Sequence, residues 1–382
     1  MHMCKFYSNF ALIFEKPIYM ISDKLDSSRV EEALRLLREA QKPVIFTHIA
    51  PDGDAMGSSL AMWHWMNGKG LTANGEMANG EKDVHVIVPN TYPFFLAWMP
   101  GAEKIVVYEG NEEIASRIIA DADLHICLDF NDPKRIGPVG DKLLLNPCPK
   151  ILVDHHLNPV NFATVTISHP EASSTCELVY RLMVDIRQKS QTDALCLTNA
   201  IATCLYTGLM TDTGNFSYNS NNPDLYEMIA ALLRAGVNKD EIYNAVFNQW
   251  SPDRLRLTGY CLYRKLRLFP EHHLAVIALS HAELNEFHFK PGDTEGIVNM
   301  PLQISDVYYS IFLREEPAKP GTSHPRIKFS FRSQGDRPVN IYASEVFRGG
   351  GHMNASGGEL YSSLQSAMNK LLATYPKYLK KE

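Results

Sequence analysis

Short apolar runs alternate with amphipathic stretches over the first part of the chain. Five of these runs are only a few residues long, which predicts buried strands at 43–48, 84–88, 105–108, 124–129 and 151–154. Helical patterns lie between several of them, including a helix opened by a Ser28 capping box and another at 58–66 that ends at Gly68 and Gly70. Continuous apolar strands alternating with helices are typical of a mainly parallel sheet covered by helices on both faces, hence an α/β fold.

The pattern changes after residue 154, where helices dominate and strands return only later. Helices are predicted at 174–186, 192–210, 224–235 and 239–247, strands at 274–279, 307–313 and 327–332, and a last helix at 363–372. A chain of 382 residues exceeds what one hydrophobic core usually supports. We therefore expect a first domain over 21–250, a basic linker region over 251–272, and a smaller C-terminal α/β domain over 273–382, with a cleft between the domains.

Composition narrows the class of protein further. No apolar stretch is long enough to cross a bilayer, and the seven cysteines form no C-x-x-C pair, so we expect a soluble protein of a reducing cytoplasm. The net charge of −6 argues against a protein that binds long nucleic acid by neutralising phosphates, but not against a small anionic substrate. Residues 1–20 are interpreted as an extension, with Met20 as an alternative start.

The first candidate chemistry follows the strand at 43–48. His48, Asp52 and Asp54 lie at its carboxyl end, which is where open α/β sheets bind ligands. Imidazole together with carboxylate oxygens suits Mn²⁺ or Mg²⁺ better than the thiolate-rich sites of structural zinc. Because Pro, Asp and Gly are common turn residues, a simple turn at 51–54 is the alternative.

Further carboxylates and imidazoles end later apolar segments. Asp129 ends one strand, Asp154, His155 and His156 end another, and Asp212 follows a long helix. A carboxylate at the end of a buried strand is costly unless it is neutralised. Two divalent cations would balance the four charges of Asp52, Asp54, Asp129 and Asp212. The alternative is four unrelated loop aspartates, each bound by nearby backbone amides.

A separate set of residues lies near the C-terminus. Arg332 and Ser333 end a β-run, and three glycines at 349–351 precede His352. Glycines allow a backbone to approach a ligand closely, and a guanidinium binds phosphate through two parallel hydrogen bonds, so a phosphate clamp is expected here. A plain tight loop is the alternative. Arg135 is a further candidate for the cleft, with a surface salt bridge as its alternative.

These motifs together resemble the DHH phosphoesterases, over roughly residues 25 to 375. The matching motifs are H-x-x-P-D-x-D at 48–54, Asp129, the D-H-H triplet at 154–156, D-T-G at 212–214, and F-R-S at 331–333 with G-G-G-H at 349–352. The resemblance implies a catalytic metal-binding domain followed by a DHH-associated substrate-binding domain. The sequence departs from the family after His352, where 353–356 is not uniformly small, and this leaves the preferred nucleobase and oligomer length open.

The resemblance also implies a role for each matching residue. One ion would be bound by His48, Asp52 and Asp129, and the other by Asp54, Asp129, His155 and Asp212, with Asp129 bridging and Mn²⁺ preferred over Mg²⁺. His156 would contact the phosphate or assist the leaving group, unless it is only a core histidine. Asp154 would orient an imidazole, or merely cap the strand. Arg332, Ser333, Gly350, Gly351 and His352 would bind the substrate.

Within the family, the pattern is most similar to small nano-RNases that also dephosphorylate pAp, the bisphosphorylated adenosine. This implies a hydrolase that degrades short oligonucleotides from an end, without long nucleic acid or a membrane as partner and with a homodimer left open. The main alternative is a phosphodiesterase of cyclic dinucleotides or their linear products. A RecJ-type exonuclease, an inorganic pyrophosphatase and a non-catalytic nucleotide sensor are less favoured.

Overall fold

The computed structural model describes residues 24–68, 82–190, 197–318 and 323–379. The extension at 1–20, Gly70 and the beginning of the helix predicted at 192–210 lie outside these residues. The chain forms two compact units, divided between Val246 and Phe247. No helix in the described ranges has the length and apolar character that a membrane span needs.

A six-stranded sheet organises the first unit, with the strand order β3-β2-β1-β4-β5-β6. Every neighbouring pair of strands in it is parallel. The strands are β1 (Pro43–Phe46), β2 (His85–Val88), β3 (Val106–Val107), β4 (Leu124–Leu128), β5 (Lys150–Asp154) and β6 (Val165–Ser168). The predicted α/β class is confirmed. The sequence did not predict β6, an edge strand in which polar residues alternate with buried ones.

Helices flank this sheet. They are α1 (Ser27–Glu39), α2 (Gly53–Asn67), α3 (Glu112–Asp121), α4 (Pro138–Leu145), α5 (Thr175–Ser190), α6 (Asn199–Asp212), α7 (Pro223–Arg234) and α8 (Lys239–Phe247). Helices α3 and α4 pack on one face of the sheet in a single hydrophobic cluster. Helices α1, α2 and α5 contact its strands as well.

Two predicted helix starts were wrong for the same physical reason. The N-cap of α1 is Asp26, not Ser28, because the Asp26 carboxylate accepts hydrogen bonds from the backbone N–H groups of Ser28 and Arg29. Helix α2 begins at Gly53, five residues before the predicted start, and Asp52 is its N-cap. The aspartates of the 48–54 motif therefore form the beginning of a helix rather than a free loop.

The second unit contains another six-stranded sheet, with the order β11-β12-β10-β9-β8-β7. Its strands are β7 (Arg267–Phe269), β8 (Leu274–Leu279), β9 (Tyr309–Glu316), β10 (Arg326–Ser333), β11 (Gly350–His352) and β12 (Ala355–Tyr361), and its helices are α9 (Pro252–Tyr260), α10 (His281–Glu286), α11 (Asn340–Phe347) and α12 (Leu364–Tyr378). Strands β8 and β9 are parallel, and the other pairs are antiparallel. The linker predicted at 251–272 is a folded part of this unit: it forms α9 and β7, which pairs with β8.

Candidate metal centre

The carboxyl ends of three neighbouring strands gather the residues singled out in the sequence. The strand order reverses between β1 and β4, and open α/β sheets bind ligands at such a point. His48 lies two residues after β1, Asp129 follows β4 directly, and Asp154 ends β5. Because parallel strands end at one edge, the three motifs meet there.

The first group of candidate ligands surrounds His48. Its Nε2 lies 3.3 Å from Oδ2 of Asp129 and 3.8 Å from Oδ2 of Asp52. Its Nδ1 lies 2.9 Å from the carbonyl oxygen of Ile49, which can only accept a hydrogen bond. The Nδ1 proton is thereby fixed. In the protonated ring Nε2–H faces the carboxylates and donates to Asp129, whereas in the neutral ring Nε2 is the atom free to bind a metal ion. One ligand atom from each of the three residues lies within 4.8 Å of the others.

A second group shares Asp129 with the first. The ligand atoms of Asp54, Asp129 and His155 also lie within 4.8 Å of one another. Nε2 of His155 is 3.7 Å from Oδ1 of Asp129 and 3.4 Å from Oδ2 of Asp212, the last residue of α6. Asp129 thus directs Oδ2 towards His48 and Oδ1 towards His155. Asp129 therefore lies between two groups of candidate ligand atoms.

Because these side chains are buried close together, the pKa of each one depends on the charges of the others. Desolvation raises the pKa of Asp54 well above its usual value, and the neighbouring charges of Asp129 and Asp212 raise it further. Burial also opposes ionisation of Asp129, but the hydrogen bond from His48 and the charges of the surrounding imidazoles hold its pKa well below the usual range. Likewise desolvation acts against the His48 imidazolium, yet Asp129 and Asp52 raise the pKa of His48 to about 9. Positive charge at this site stabilises its carboxylates, and its imidazole and carboxylate donors fit divalent metal ions.

The backbone at Asp129 has an unusual conformation. Its φ is +65°, in the left-handed region that few residues other than glycine adopt, although aspartate and asparagine are tolerated there. The chain turns sharply at this point, directly after β4. The turn directs the carboxylate to the centre of the site, and the surrounding contacts must compensate for the backbone strain.

His156 and Asp154 form a close pair beside these groups. Nδ1 of His156 lies 2.7 Å from Oδ1 of Asp154 and 3.7 Å from Oδ1 of Asp129. Asp154 is fully buried, so it fixes the orientation of the imidazole ring. The His155 ring is held separately, since its Nδ1 lies 3.2 Å from the carbonyl oxygen of Ala172.

The N-terminus of α5 supplies contacts that the sequence did not reveal. The backbone N–H of Thr175 donates to Oδ2 of Asp54 at 2.6 Å, and that of Cys176 donates to Oδ1 at 2.8 Å. The Thr175 hydroxyl donates to Oδ1 of Asp129 at 3.0 Å. A helix N-terminus stabilises an anion, so this turn holds both carboxylates in place. The only sequence signal was the Ser-Ser-Thr run at 173–175 at the beginning of a predicted helix.

Helices α2 and α6 approach each other closely behind the site. A Cβ added to Gly53 would lie 2.2 Å from Oγ1 of Thr211, and one added to Gly57 would lie 2.5 Å from the carbonyl oxygen of Cys204. At Gly208 an added Cβ would lie 2.2 Å from Sγ of Cys176 and 3.0 Å from Oδ1 of Asp54. Glycines at these positions allow the helix carrying Asp54 to pack against the helix that ends at Asp212.

Arg135 lies on the His48 side of the site. Its carbonyl oxygen accepts the Ile49 N–H at 2.9 Å. Its positive charge acts to lower the pKa of His48, against the stronger effect of Asp129 and Asp52. This places its charge within reach of the candidate site.

The second unit carries the other predicted residues. Arg332, Ala355 and His352 are register partners across β10, β12 and β11, and Ser330, Gly357 and Gly350 form the next such row. Partners in antiparallel strands share a face. With strands about 4.8 Å apart, Arg332 and His352 lie about 10 Å apart on either side of the small Ala355 side chain. Ala355, Gly357 and Gly350 therefore form a surface with few side-chain atoms, here called the floor. Arg332 and His352 border it as hydrogen-bond donors.

The other predicted residues of this region have structural contacts. The Ser333 hydroxyl donates to the Arg337 carbonyl oxygen, and Nδ2 of Asn354 donates to Oγ of Ser333 at 3.0 Å. Gly351 has a φ of +139°, and a Cβ there would lie 2.6 Å from the Ala355 carbonyl oxygen, whereas a Cβ at Gly350 would meet none of the described residues. Of the expected glycines, Gly350 therefore leaves room for a ligand, while Gly351 is required by the hairpin.

Removal of the Thr175 hydroxyl tests whether the N-terminus of α5 orients Asp129 for metal binding. We expect Thr175→Val to weaken Mn²⁺ binding by roughly 10-fold, because Asp129 loses a hydrogen bond that orients it. Thr175→Ser retains the hydroxyl and should bind Mn²⁺ nearly as tightly as the wild type. Calorimetric titration of the metal-free proteins measures both. Equal affinities of Thr175→Val and the wild type would show that this contact does not matter.

A parallel α/β sheet with imidazoles and carboxylates at its switch point, followed by a second mixed sheet, defines the class: a two-unit α/β protein with a candidate metal centre. The chain belongs to the DHH family. The model of the DHH family N-terminal domain matches residues 42–209. With this membership the chain is a phosphoesterase, and the resemblance drawn from the sequence is confirmed.

Known proteins resemble the chain well beyond that domain. It is 28% identical to the "Bifunctional oligoribonuclease and PAP phosphatase NrnA" of Thermus thermophilus, over 87% of this chain and 90% of the relative. The crystal structure of an exopolyphosphatase-related protein from Bacteroides fragilis is 41% identical and has a TM-score of 0.82, covering 94% of this chain and 98% of that one. Exonuclease RecJ bound to manganese shares the fold at 14% identity, with a TM-score of 0.50 and coverage of 95% of this chain and 97% of that one.

Proposed function

We propose that the chain is a two-metal phosphoesterase that hydrolyses short oligoribonucleotides from an end and removes a phosphate from pAp-like nucleotides. The observation that carries the proposal is the position of Asp129 between two groups of ligand atoms. The similarity to the Thermus thermophilus oligoribonuclease and PAP phosphatase over most of both chains supports this choice of substrates.

The donor atoms divide into two sets that share Asp129. His48, Asp52 and Asp129 would bind one ion, and Asp54, Asp129, His155 and Asp212 would bind the other, with Mn²⁺ preferred over Mg²⁺ because imidazoles take part. When bound, two such ions would lower the pKa of a water molecule and offset negative charge on the phosphoryl oxygens. Asp52 combines its proposed ligand role with the N-cap of α2, which fixes its orientation.

His156 has a distinct proposed role. Its Nδ1 is bound by Asp154, so Nε2 is the atom that contacts the phosphate or holds a proton for the leaving oxygen. The buried Asp154 carboxylate accepts a hydrogen bond from Nδ1–H and so fixes the tautomer and the orientation of the ring. Asp129 and Asp154 both lie close to this imidazole, at 3.7 Å and 2.7 Å from its Nδ1.

We propose that the second unit binds the nucleotide. Arg332 and His352 would bind phosphate or sugar oxygens above the floor formed by Ala355 and Gly350, where a flat base can lie close to the backbone. Ser333 and Gly351 would maintain the backbone conformation of this floor. Because the chain has a net charge of −6, long strands gain little general electrostatic attraction, which favours short substrates.

Hydrolysis assays with defined substrates test this function. The purified protein is incubated with pAp, a linear dinucleotide or a cyclic dinucleotide, with and without Mn²⁺. We expect Mn²⁺-dependent turnover of pAp and the linear dinucleotide. Turnover of the cyclic dinucleotide alone would instead favour a cyclic-dinucleotide phosphodiesterase. End-labelled RNAs of two to seven nucleotides then show which end is cut and which length is preferred.

A substitution at Arg332 tests the proposed nucleotide site. We expect Arg332→Ala to raise KM for pAp by about 10-fold or more with a much smaller change in kcat, because a bidentate phosphate contact is lost. Arg332→Lys keeps the charge but not the planar fork, so an intermediate KM is expected. Steady-state kinetics at saturating Mn²⁺ measure both variants. An unchanged KM for Arg332→Ala would remove this residue from the substrate site.

A further inference from the structure

A buried ion pair lies next to the candidate metal centre without belonging to it. Arg181 donates from Nη2 to Oε1 of Glu177, one helical turn earlier in α5, and both side chains are only 4% exposed. Burying two charges costs desolvation energy that their attraction barely recovers, so such a pair is a poor way to stabilise a fold. Its position suggests another role.

The second carboxylate oxygen of Glu177 holds the chain just before the helix. Oε2 of Glu177 accepts from the backbone N–H of Ser173 at 2.7 Å and from its hydroxyl at 2.6 Å. The backbone N–H of Glu177 donates in turn to Oγ of Ser174 at 3.1 Å. This is a reciprocal cap of the kind that fixes the first turn of a helix. Arg181 holds the capping carboxylate from the other side.

The same turn binds the candidate metal ligands. The N–H groups of Thr175 and Cys176 donate to Asp54, and the Thr175 hydroxyl donates to Asp129. These contacts lie between Ser173 and Glu177, so the cap sets their positions. Hydrogen bonds therefore join the Arg181 guanidinium to Glu177 and Glu177 to Ser173, and the backbone of this one turn links them to the N–H groups that bind the two carboxylates.

Charge explains why Arg181 is needed. The first turn of a helix has only four backbone N–H groups without a helical partner, and two buried carboxylates, Asp54 and Glu177, lie at this one. Without a counter-charge, Glu177 would be a second buried anion close to Asp54, and the two would compete for the same donors. The guanidinium neutralises Glu177 and directs it to Ser173, which leaves the N–H groups of Thr175 and Cys176 to Asp54.

We propose that Arg181 and Glu177 are positioning residues of the metal centre: they hold the first turn of α5 so that its donors fix Asp54 and Asp129 in the orientation that metal binding requires. The proposal rests on the proposed metal-dependent function, because it assumes that these carboxylates bind ions.

Three variants separate positioning from simple stabilisation. Arg181→Met and Glu177→Gln each leave one charge buried and unpaired, and the double variant removes both charges while keeping a similar volume. We measure Mn²⁺ binding to the metal-free proteins by electron paramagnetic resonance of the free ion, thermal unfolding, and kcat and KM for pAp. We expect the double variant to unfold at a higher temperature than either single variant, and yet to bind Mn²⁺ at least about 10-fold more weakly than the wild type.

A second ion pair in the chain provides a matched control. Glu283 caps α10 through the N–H and hydroxyl of Ser280, both at 2.9 Å, and accepts a hydrogen bond from Nζ of Lys265 at 2.7 Å. Like Glu177, it combines a helix cap with an ion pair, but it is less buried and lies in the other unit. We expect Glu283→Gln to lower the unfolding temperature and to leave Mn²⁺ affinity unchanged.

The outcomes are distinguishable. Wild-type Mn²⁺ affinity in the double variant would overturn the positioning role, and so would an equal loss of affinity in Glu283→Gln. A wild-type protein that binds no Mn²⁺ would overturn both this inference and the proposed function. If the wild type binds Mn²⁺ and the double variant binds it weakly, but no phosphoester is hydrolysed, the positioning role stands and the proposed function fails. Arg181→Lys, which restores the charge, should recover part of the affinity.

Discussion

Replacement of Asp129 with asparagine should lower kcat for every phosphoester substrate by about 10³-fold or more. Asp129 directs one oxygen to each group of candidate ligands, so no other residue substitutes for it. Asparagine has nearly the same shape but offers one neutral acceptor, and the loss of a metal-binding carboxylate costs several kcal/mol in the transition state, at 1.36 kcal/mol per tenfold in rate. Single-turnover assays with pAp and a dinucleotide, at several Mn²⁺ concentrations, measure the effect.

Asparagine is the informative replacement because it also tolerates the left-handed backbone at this position. The variant should therefore keep the wild-type circular dichroism spectrum, which separates a loss of chemistry from a loss of fold. Asp121→Asn, on the exposed end of α3, is the control and should retain full activity. Substantial activity in Asp129→Asn would exclude Asp129 from the reacting centre.

The second large effect is expected at Gly208. In Gly208→Ala the new methyl group would lie 2.2 Å from Sγ of Cys176 and 3.0 Å from Oδ1 of Asp54, so α6 must move away from both. Overpacking of this kind usually costs about 1–3 kcal/mol of unfolding free energy. Because the displaced groups include Asp54, we also expect Mn²⁺ affinity to fall by about 10-fold or more. Urea denaturation and Mn²⁺ titration measure the two effects.

Gly259 in α9 is the matched control for this substitution. It is also a helical glycine, but no atom of the described residues lies within 4 Å of an added Cβ. Gly259→Ala should therefore stabilise the protein by about 0.5–1 kcal/mol through the higher helix propensity of alanine. A Gly208→Ala variant as stable as Gly259→Ala would contradict the close packing of α2 and α6.

The fold of the first unit could be predicted from the sequence where its strands are buried on both faces. Strands β1, β4 and β5 are buried at every position and mainly apolar. Their patterns therefore predicted both the strands and the ends at which the candidate ligands lie. Strand β6 was missed because only alternate residues of this edge strand are buried. The start of α2 was placed too late because turn residues such as Asp52 and Gly53 also form helix caps.

Only those parts of the candidate site that consist of side-chain groups could be predicted from the sequence. Imidazoles and carboxylates at strand ends are visible in a sequence, so His48, Asp129 and His155 could be grouped from their positions along the chain. The contacts of Asp54 with α5 come from backbone N–H groups, which every residue except proline has. Likewise, the clearance around Gly208 depends on how two helices cross, and no local pattern encodes that.

The left-handed turn at Asp129 limits how this site can be transplanted. A designer who copies only the side chains onto another parallel sheet would place the central carboxylate on an extended strand end, pointing elsewhere. Glutamate carries the charge but disfavours the conformation, while glycine adopts it readily but has no oxygen to offer. A transferable version of the centre must therefore include the bend of the chain after β4 as one of its parts.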